Sequence, residues 1–395
     1  MKKKWDEKKT SLGNAIIYGA ISTIIAFVLG LNFNNLFSGF MPYLGFPTSS
    51  SSIDWSPLNE VYSRLATTYD GDIDKSVVIE GAKKGLTAAL GDVYTVYMDT
   101  KTANDFNDSL HGNVGSGVGI EMGLRDGYTR VLRTLPDNPA REAGILAGDI
   151  IYKVNDEEVY MLTTDEIASK VRGEKGTEVK LTVVRNGEEL SFTMKRETIN
   201  NVSAYVEYDG TTAIVTLTRF DTDTGTLVQG FAREFESKGI NKVILDLRNN
   251  GGGYVSAAQD LLGLWVSNKP VLIQKSKHFG NSTMSSVSGK AMLENMKTII
   301  LVNESTASAS EIVAGALQDY GKATVVGTKT FGKGVVQNLY NLSAGSLLKV
   351  TTASWYTPND RSINKTGITP DQVVERSYED INSMRDPQMD AAKAL

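Results

Sequence analysis

The chain contains 395 residues, 41% of them hydrophobic, so its length and composition suit two or three globular domains. Its 46 acidic and 41 basic residues give a net charge of −5, which offers no basic surface to nucleic acid, and we expect no nucleic-acid partner. There are no cysteines and only two histidines, His111 and His278, so disulfides, thiolate catalysis and cysteine-ligated metals are excluded, and we expect no metal site.

An uncharged apolar stretch follows the lysine-rich start of the chain, "MKKKWDEKKT". We predict a cytoplasmic basic tail over residues 1–12, a transmembrane anchor over 13–37 and a linker over 38–53. Lysines before the apolar run and none after it favour a cytoplasmic N-terminus, a single pass through the cell membrane and an extracytoplasmic body. A cleavable signal peptide is the alternative, although no A-x-A-like site follows the run.

Three patterns divide the rest of the chain. Residues 54–110 have apolar residues at three- and four-residue spacing, as in "SVVIEGAKKGLTAAL", which predicts helices. Residues 111–198 have short strands, glycines, an Asn-Gly hairpin turn and one helix near 164–171. Residues 199–384 alternate apolar strands with helices, which predicts an α/β layer domain, and residues 385–395 are expected to form a frayed tail.

The segment "GTKTFGKGVVQ" has the glycine and lysine spacing of a phosphate-binding loop. However, Gly334 stands where such a loop needs Ser or Thr, and the following residues predict strands instead of a helix, which argues against a nucleotide site. Lys333 lies between the apolar groups "VVG" and "VVQ", where desolvation would lower its pKa and make it usable as a base. A solvent-exposed loop lysine is the alternative.

A candidate nucleophile lies in "NESTASASEIVAGAL", between a predicted strand and a predicted helix. A hydroxyl there would sit beside the free amide donors of the helix N-terminus. Ser308 followed by Glu311 also has capping-box spacing, so a purely structural role is the alternative. The hydroxyls that compete with Ser308 are those of Ser305, Thr306 and Ser310.

Two glycine-rich segments are candidates for substrate binding. "DLRNNGGGY" places three glycines between a strand and a helix, where backbone N–H groups can face an oxyanion, and a simple tight turn is the alternative. "GSGVGIEM" places glycines directly before a strand. Such a loop can hold the terminal carboxylate of a peptide while the strand edge pairs with the peptide backbone.

Together these segments resemble the carboxyl-terminal processing proteases, also called tail-specific proteases, which are serine peptidases with a Ser-Lys pair. "STASASEIVAGALQDYGKATVVGTKTFGKGVVQ" resembles the catalytic signature, "DLRNNGGG" the glycine element upstream of it, and "WYTPNDRSINKTGITPDQVVE" the segment downstream. "GSGVGIEM" and "PAREAGILAGDIIYKVND" resemble the PDZ domain of these enzymes. "LGDVYTVYM" resembles the preceding segment, although Val93 stands where proline is usual.

The resemblance implies a multidomain α/β fold with an N-terminal membrane helix, a small helical region, a β-rich PDZ domain and a crotonase/ClpP-like protease core. It implies that the enzyme works without a cofactor, with Ser308 as the nucleophile, Lys333 as the general base and Gln337 orienting the lysine. On a straight strand the last two would lie about 13 Å apart, so we expect the chain to bend near Gly334 or the lysine to fold back.

The resemblance also implies how substrates are held. The backbone N–H groups of Gly252 and Ala309 would form the oxyanion hole. Val118, Gly119 and Ile120 of the PDZ domain would bind the exposed C-terminal tails of protein substrates. Arg172 would couple the PDZ domain to the protease core.

Two alternatives stay open. The first is a membrane-tethered PDZ scaffold without catalysis, and the second is a Ser-His hydrolase that uses His278. The sequence does not determine the substrates, the activating partner or the oligomeric state, and it leaves a homo-oligomer open.

Overall fold

The computed structural model describes residues 53–125, 127–289, 291–383 and 385–395. The chain divides into two compact units, with the division between Lys75 and Ser76. The described part of the first unit contains helix α1 (Ser56–Thr68), which has no buried residue. The second unit contains the candidate site.

Helices and strands are interspersed along the described part of the chain. Within the described ranges the other helices are α2 (Lys75–Ala88), α3 (Thr100–His111), α4 (Pro139–Glu142), α5 (Thr164–Val171), α6 (Thr224–Phe235), α7 (Val255–Leu262), α8 (Ala309–Asp319), α9 (Tyr378–Asn382) and α10 (Pro387–Ala394). The strands up to residue 198 are β1 (Val96–Met98), β2 (Ser116–Gly117), β3 (Ile120–Arg125), β4 (Tyr128–Thr134), β5 (Ile150–Val154), β6 (Glu157–Glu158), β7 (Glu178–Arg185), β8 (Glu188–Lys195) and β9 (Glu197–Thr198). The later strands are β10 (Ala204–Asp209), β11 (Thr212–Leu217), β12 (Lys242–Asp246), β13 (Pro270–Ser276), β14 (Gly280–Ser285), β15 (Lys297–Val302), β16 (Thr324–Gly327), β17 (Val335–Asn341), β18 (Leu347–Tyr356) and β19 (Gln372–Val373).

A six-stranded sheet, in the order β10-β11-β12-β15-β16-β19, forms the centre of the C-terminal half. All neighbours from β11 to β19 are parallel, and β10 is antiparallel to β11. Successive strand residues face opposite sides, so Ile300 of β15 packs in the core under α6, α7 and α8, whereas Leu301 packs on the other face. This arrangement confirms the predicted α/β domain, since a parallel sheet needs apolar cover on both faces.

A second sheet has the order β1-β18-β13-β14, and β17 also pairs with β18. Its edge strand β1 comes from the region predicted to be helical and pairs with β18 from Val96 opposite Lys349 to Met98 opposite Leu347. The prediction of a helical region over 54–110 missed this strand. Three residues are too few for period-two alternation to stand out beside two helices.

Residues 111–198 form a separate domain with its own core. Its sheet has the order β3-β4-β5-β7-β8, with β6 on β5, and β2 pairs with β9. Helix α5 covers the predicted residues, and its capping box joins Thr163 and Glu166. Asn186 and Gly187 both have positive φ, at 53° and 85°, as a two-residue hairpin turn between β7 and β8 requires.

The prediction of a frayed tail over residues 385–395 is wrong, because α10 packs against the central sheet. Ala392 is fully buried with Ile299 and Leu301, and Lys393 forms an ion pair with Asp209 at 2.7 Å. The small side chains that suggested a weak tail let this helix lie close to the sheet.

None of the helices in the described part of the chain is long and apolar enough to cross a bilayer. The predicted basic tail over 1–12, the anchor over 13–37 and all of the 38–53 linker except its last residue lie outside the described residues.

Candidate active site

Ser308 lies between β15 and α8, at the N-terminus of the helix as predicted. Its backbone has φ 57° and ψ −118°, a strained conformation for a residue with a side chain, which costs about 1–3 kcal/mol and is typically retained at functional sites. Its hydroxyl makes no capping hydrogen bond, and the N–H of Glu311 donates to the Ser308 carbonyl oxygen at 2.9 Å. The backbone of Ser308 is also held from its own side, since its N–H donates to Glu311 Oε2 at 2.9 Å in capping-box geometry.

The three competing hydroxyls are all engaged elsewhere. Thr306 donates to the carbonyl oxygen of Leu247 at 2.9 Å, and Ser310 donates to that of Asn250 at 3.0 Å. Ser305 accepts a hydrogen bond from Arg125 at 2.6 Å. The structure thus distinguishes Ser308 from its neighbours, which sequence spacing alone did not.

Glu311 is a residue whose role the sequence did not reveal beyond capping. It is fully buried, and one carboxylate oxygen, Oε2, accepts hydrogen bonds from the backbone N–H of Ser308 and of Lys333, both at 2.9 Å. The other oxygen accepts from the Thr330 hydroxyl at 2.6 Å and from the Gly332 N–H at 2.7 Å. Burial raises the pKa of Glu311, against the opposing effect of these hydrogen bonds. A single side chain therefore ties the nucleophile to the lysine loop.

Lys333 lies in that loop, two residues before β17. Burial lowers the pKa of Lys333 from its ordinary value, and the nearby charge of Lys349 lowers it further, against an opposing effect of Glu311. The Lys333 Nζ lies 5.4 Å from the centre of the Tyr94 ring and makes no hydrogen bond to a described residue. The direction of the pKa shift and its main cause agree with the sequence prediction, although no hydrogen bond joins Nζ to the Ser308 hydroxyl.

Gln337 lies in β17 opposite Thr351, directly after an irregularity in the pairing with β18. Its Nε2 is buried and has no hydrogen-bond partner among the described residues. Gly334 packs so closely on Asn364 that an added Cβ would lie 2.5 Å from the Asn364 amide nitrogen. Lys333 precedes the first residue of β17, Val335, and no hydrogen bond joins the lysine to Gln337.

The triple-glycine loop lies against the nucleophile. At Gly252, φ is 99°, and an added Cβ would lie 2.7 Å from the Cβ of Ser308 and 2.9 Å from the Ala309 nitrogen. The Ala309 N–H has no hydrogen-bond partner in the described part of the chain, as an oxyanion donor requires. The Gly252 N–H, in contrast, donates to Asn250 Oδ1 at 2.9 Å, because the asparagine side chain closes a local turn. This donor is therefore already engaged, which differs from the prediction.

The predicted peptide-binding residues lie between β2 and β3. The N–H groups of Val118 and Gly119 have no hydrogen-bond partner in the described ranges, and Ile120 begins β3. Gly119 has φ 76°, and an added Cβ would lie 2.3 Å from Asn138 Cβ. Arg172, the residue after α5, is exposed and lines the same groove.

Neither histidine is hydrogen-bonded to Ser308. His278 lies exposed in the turn between β13 and β14, and its ring makes no hydrogen bond to a described residue. His111 ends α3, where its Nδ1 lies 2.8 Å from the Asn107 carbonyl oxygen. Over the described ranges, no group of three or more His, Asp and Glu side chains could hold a metal ion.

Three family models match successive parts of the chain. Residues 46–102 match the "Activating protease CtpB N-terminal domain", residues 130–185 match "PDZ domain" and residues 211–374 match "Peptidase family S41". The last match contains Ser308, Lys333 and Gln337. The PDZ match begins after the glycine loop before β3.

Curated relatives from staphylococci share about a third of the sequence. A "Probable CtpA-like serine protease" of Staphylococcus aureus (strain MSSA476) is 32% identical over 96% of this chain and 75% of its own length. One from Staphylococcus saprophyticus is 34% identical over 82% of this chain and 66% of its own length.

Two solved structures have the same fold. The "Photosystem II D1 C-terminal processing protease" aligns with a TM-score of 0.56 and 25% identity, over 84% of this chain and 90% of that one. A Bacteroides fragilis protein described as an S41 protease aligns with a TM-score of 0.58 and 16% identity, over 88% and 97%. The chain therefore belongs to peptidase family S41, and it is a serine peptidase with a PDZ domain.

Proposed function

We propose that this protein is an endopeptidase that recognises the C-terminal tails of other proteins and cleaves them with Ser308, Lys333 and Gln337. The observation that carries the proposal is the shared oxygen of Glu311. Because Oε2 accepts from both backbone nitrogens at 2.9 Å, it holds Ser308 and Lys333 side by side across 25 residues of sequence.

In the proposed reaction, neutral Lys333 takes the proton of the Ser308 hydroxyl, and the oxygen attacks a peptide carbonyl carbon. The carbonyl oxygen becomes an oxyanion beside the free N–H of Ala309 and the triple-glycine loop. Protonated Lys333 then returns the proton to the leaving amine, and water hydrolyses the acyl-enzyme. Gln337 is proposed to orient the lysine through its side-chain oxygen, which can accept an N–H of the amine and leave the lone pair of Lys333 Nζ free for the serine proton.

Binding at the Gly252 N–H needs one rearrangement. The asparagine side chain that holds this N–H must release it before the N–H can donate to an oxyanion. Alternatively the N–H of Gly253, which has no hydrogen-bond partner among the described residues, serves as the second donor.

The groove of the PDZ domain between β3 and α5 is the proposed binding site for the C-terminal tails of substrates. The free N–H groups of Val118 and Gly119 suit a terminal carboxylate, and Ile120 starts a strand that can pair with a peptide. Arg172 is proposed to couple this groove to the protease core. The name of the photosystem II relative, a C-terminal processing protease, is consistent with this substrate class.

Three single substitutions test the chemistry. We expect Ser308→Ala to abolish cleavage of an unfolded protein substrate and Lys333→Ala to reduce it about 10²–10⁴-fold, the usual contribution of a general base. His278→Ala should leave it unchanged. Loss with His278→Ala and not with Lys333→Ala would support a Ser-His hydrolase instead, and absence of cleavage by the parent protein would support a scaffold.

We also propose that residues 13–37 anchor the protein in the cell membrane with its N-terminus in the cytoplasm, on the strength of the apolar run and the lysines before it. Protease added to intact cells after removal of the wall should digest the body of the protein. Resistance of the body to digestion, or its release in soluble form, would contradict a retained anchor.

A further inference from the structure

A groove of about 350 Å³ joins the PDZ domain to the protease core. On the PDZ side it is lined by the glycine loop before β3 and by Thr164 and Ala168 of α5. On the protease side it is lined by Thr218 and Arg219, which follow β11. The proposed peptide-binding groove is thus completed by residues outside the PDZ domain.

An ion pair holds the guanidinium group of Arg219 in place, but only part of its hydrogen-bonding capacity is used. Its Nη2 donates to Asp221 Oδ2 at 2.7 Å, whereas its Nε and Nη1 are buried and have no hydrogen-bond partner among the described residues. The Asp221 carboxylate is itself buried and accepts from Thr224, so it cannot turn toward the remaining donors without losing that bond. Gly112 lies directly against the guanidinium, since an added Cβ would lie 2.3 Å from Arg219 Cζ.

Buried guanidinium donors without acceptors are costly, and a ligand oxygen that reaches either of them lowers that cost. The Nε–H and Nη1–H bonds leave the guanidinium in different directions, so a carboxylate accepts from one of them, through a charge-assisted hydrogen bond. The neighbouring N–H groups of Val118 and Gly119 add further donors on the other side of the groove. Asp165 and Glu121 also line it, but Glu121 is paired with Arg133 at 2.7 Å.

We propose that Arg219 of the protease core binds the terminal carboxylate of the substrate tail, together with the glycine loop of the PDZ domain. This inference rests on the proposed recognition of C-terminal tails and assigns part of that recognition to a residue outside the PDZ domain. The carboxylate site is therefore complete only when the two domains are in contact.

Arg219 directly precedes Phe220, which is hydrogen-bonded to the triple-glycine loop. The N–H of Phe220 donates to the Gly252 carbonyl oxygen at 2.9 Å, and the Phe220 carbonyl oxygen accepts from the Tyr254 N–H at 2.8 Å. A tail bound at Arg219 is thus connected through a single peptide unit to the loop that faces Ser308.

The test compares two peptides on the full chain carrying Ser308→Ala, which prevents cleavage. One is a fluorescein-labelled decapeptide ending in two alanines with a free carboxylate, and the other is the same peptide with a terminal amide. We expect the acid to bind about tenfold or more tightly than the amide. In the variant Arg219→Gln with Asp221→Asn, which leaves no unpaired charge, this ratio should fall to about one, with affinity for the amide unchanged.

A second variant distinguishes a specific loss of carboxylate binding from unfolding of the protein. Arg219→Lys keeps the ion pair with Asp221 but not the forked donors, and we expect it to retain only part of the preference for the acid. Arg233→Met, which removes an exposed arginine of α6 that does not line the groove, serves as the control and should preserve the preference.

The outcomes separate two failures. If the acid is preferred to the same extent in the parent and in both Arg219 variants, the role of Arg219 is overturned while tail recognition stands. If the parent protein binds acid and amide equally, the proposed recognition of free C-termini fails, and the role of Arg219 fails with it.

Discussion

The proposed role of Lys333 as a base at moderate pH depends on surroundings that disfavour its ammonium form. Burial accounts for most of the lowered pKa, and the charge of Lys349 adds to it. Lys349 is itself half-buried, which lowers its own pKa, and its Nζ lies 5.3 Å from the centre of the Phe106 ring.

This environment has a consequence for stability that can be measured. Since the pKa of Lys333 is lower in the folded protein than its ordinary value of 10.5, protonation favours the unfolded chain, and the protein gains stability as pH rises through that interval. We expect Lys333→Met to lose activity yet to raise Tm near neutral pH, with the gain disappearing above the ordinary pKa. Thermal unfolding of both proteins across pH checks this, and a lower Tm for the variant near neutral pH would contradict it.

Removing Lys349 should shift the pH dependence of catalysis. In Lys349→Gln the repulsion is lost, the pKa of Lys333 rises, and the rising limb of the kcat profile moves to higher pH. Lys329→Gln, which removes an exposed lysine from the same loop, is the control and should leave the profile in place. Identical profiles for Lys349→Gln and the parent would show that Lys349 does not tune the base.

At the scale of single elements, the triple-glycine loop offers a matched pair of substitutions. An added Cβ at Gly252 would collide with Ser308 at 2.7 Å, whereas one at Gly251 meets nothing within 4 Å. We therefore expect Gly252→Ala to reduce kcat by about 10²-fold or more, in line with the loss of an oxyanion donor, and Gly251→Ala to be tolerated. Cleavage rates and Tm of the two variants decide, and equal activity would separate the loop from catalysis.

Glu311 holds the start of α8 and the lysine loop together. In Glu311→Gln an amide group replaces one acceptor oxygen and faces backbone donors, which should destabilise the protein by about 1–3 kcal/mol and lower kcat. Denaturant unfolding and cleavage rates measure the two effects. The exposed Glu236→Gln is a control that should change neither.

The sequence predicted those parts of the site that depend on neighbouring residues in the chain, and it missed those that depend on distant ones. The order of strand, hydroxyl and helix narrowed the candidate nucleophile to four neighbouring hydroxyls, and the family resemblance selected Ser308 among them. The pKa direction of Lys333 followed from its apolar neighbours. Arg219 gave no signal, because the groove it lines and its two unpaired donors exist only once β11 is placed beside the PDZ domain. The bond from the Gly252 N–H to Asn250 gave no signal either, since it depends on a side-chain rotamer.

At the scale of the whole molecule, the PDZ domain contacts both loops that surround Ser308. Arg125 at the end of β3 donates to the Ser305 hydroxyl at 2.6 Å, and Arg133 of β4 donates to the Arg248 carbonyl oxygen at 2.7 Å. Strand β3 therefore begins at the proposed peptide site and ends at the nucleophile loop.

These contacts predict that the two domains are energetically coupled. In a double-mutant cycle with Arg125→Ala and Ser305→Ala, we expect an interaction energy in kcat/KM of about 0.5 kcal/mol or more. Strictly additive effects would mean that the contact is incidental to catalysis.

The overall architecture was predictable because each domain has its own periodicity, alternating in the PDZ domain and strand-helix in the core. The elements at the margins of these domains were not predictable. Strand β1 and helix α10 are short, and each is fixed by partners more than 100 residues away in sequence, Lys349 for the strand and Ile299 for the helix being examples. Local propensity carries no record of such pairings.

The shared oxygen of Glu311 limits where this enzyme can be switched on and off. The backbone N–H groups of Ser308 and Lys333 donate to the same buried carboxylate oxygen. A domain movement that leaves this carboxylate in place should therefore also leave the two residues side by side. Asn250, which precedes the three glycines, is bonded to the segment around Ser308, since its carbonyl oxygen accepts from the Ala307 N–H and the Ser310 hydroxyl, both at 3.0 Å. Gly252 itself is bonded through its carbonyl oxygen to the Phe220 N–H. We therefore expect regulation of turnover to act on the glycines proposed to face the oxyanion, while Ser308 and Lys333 stay side by side.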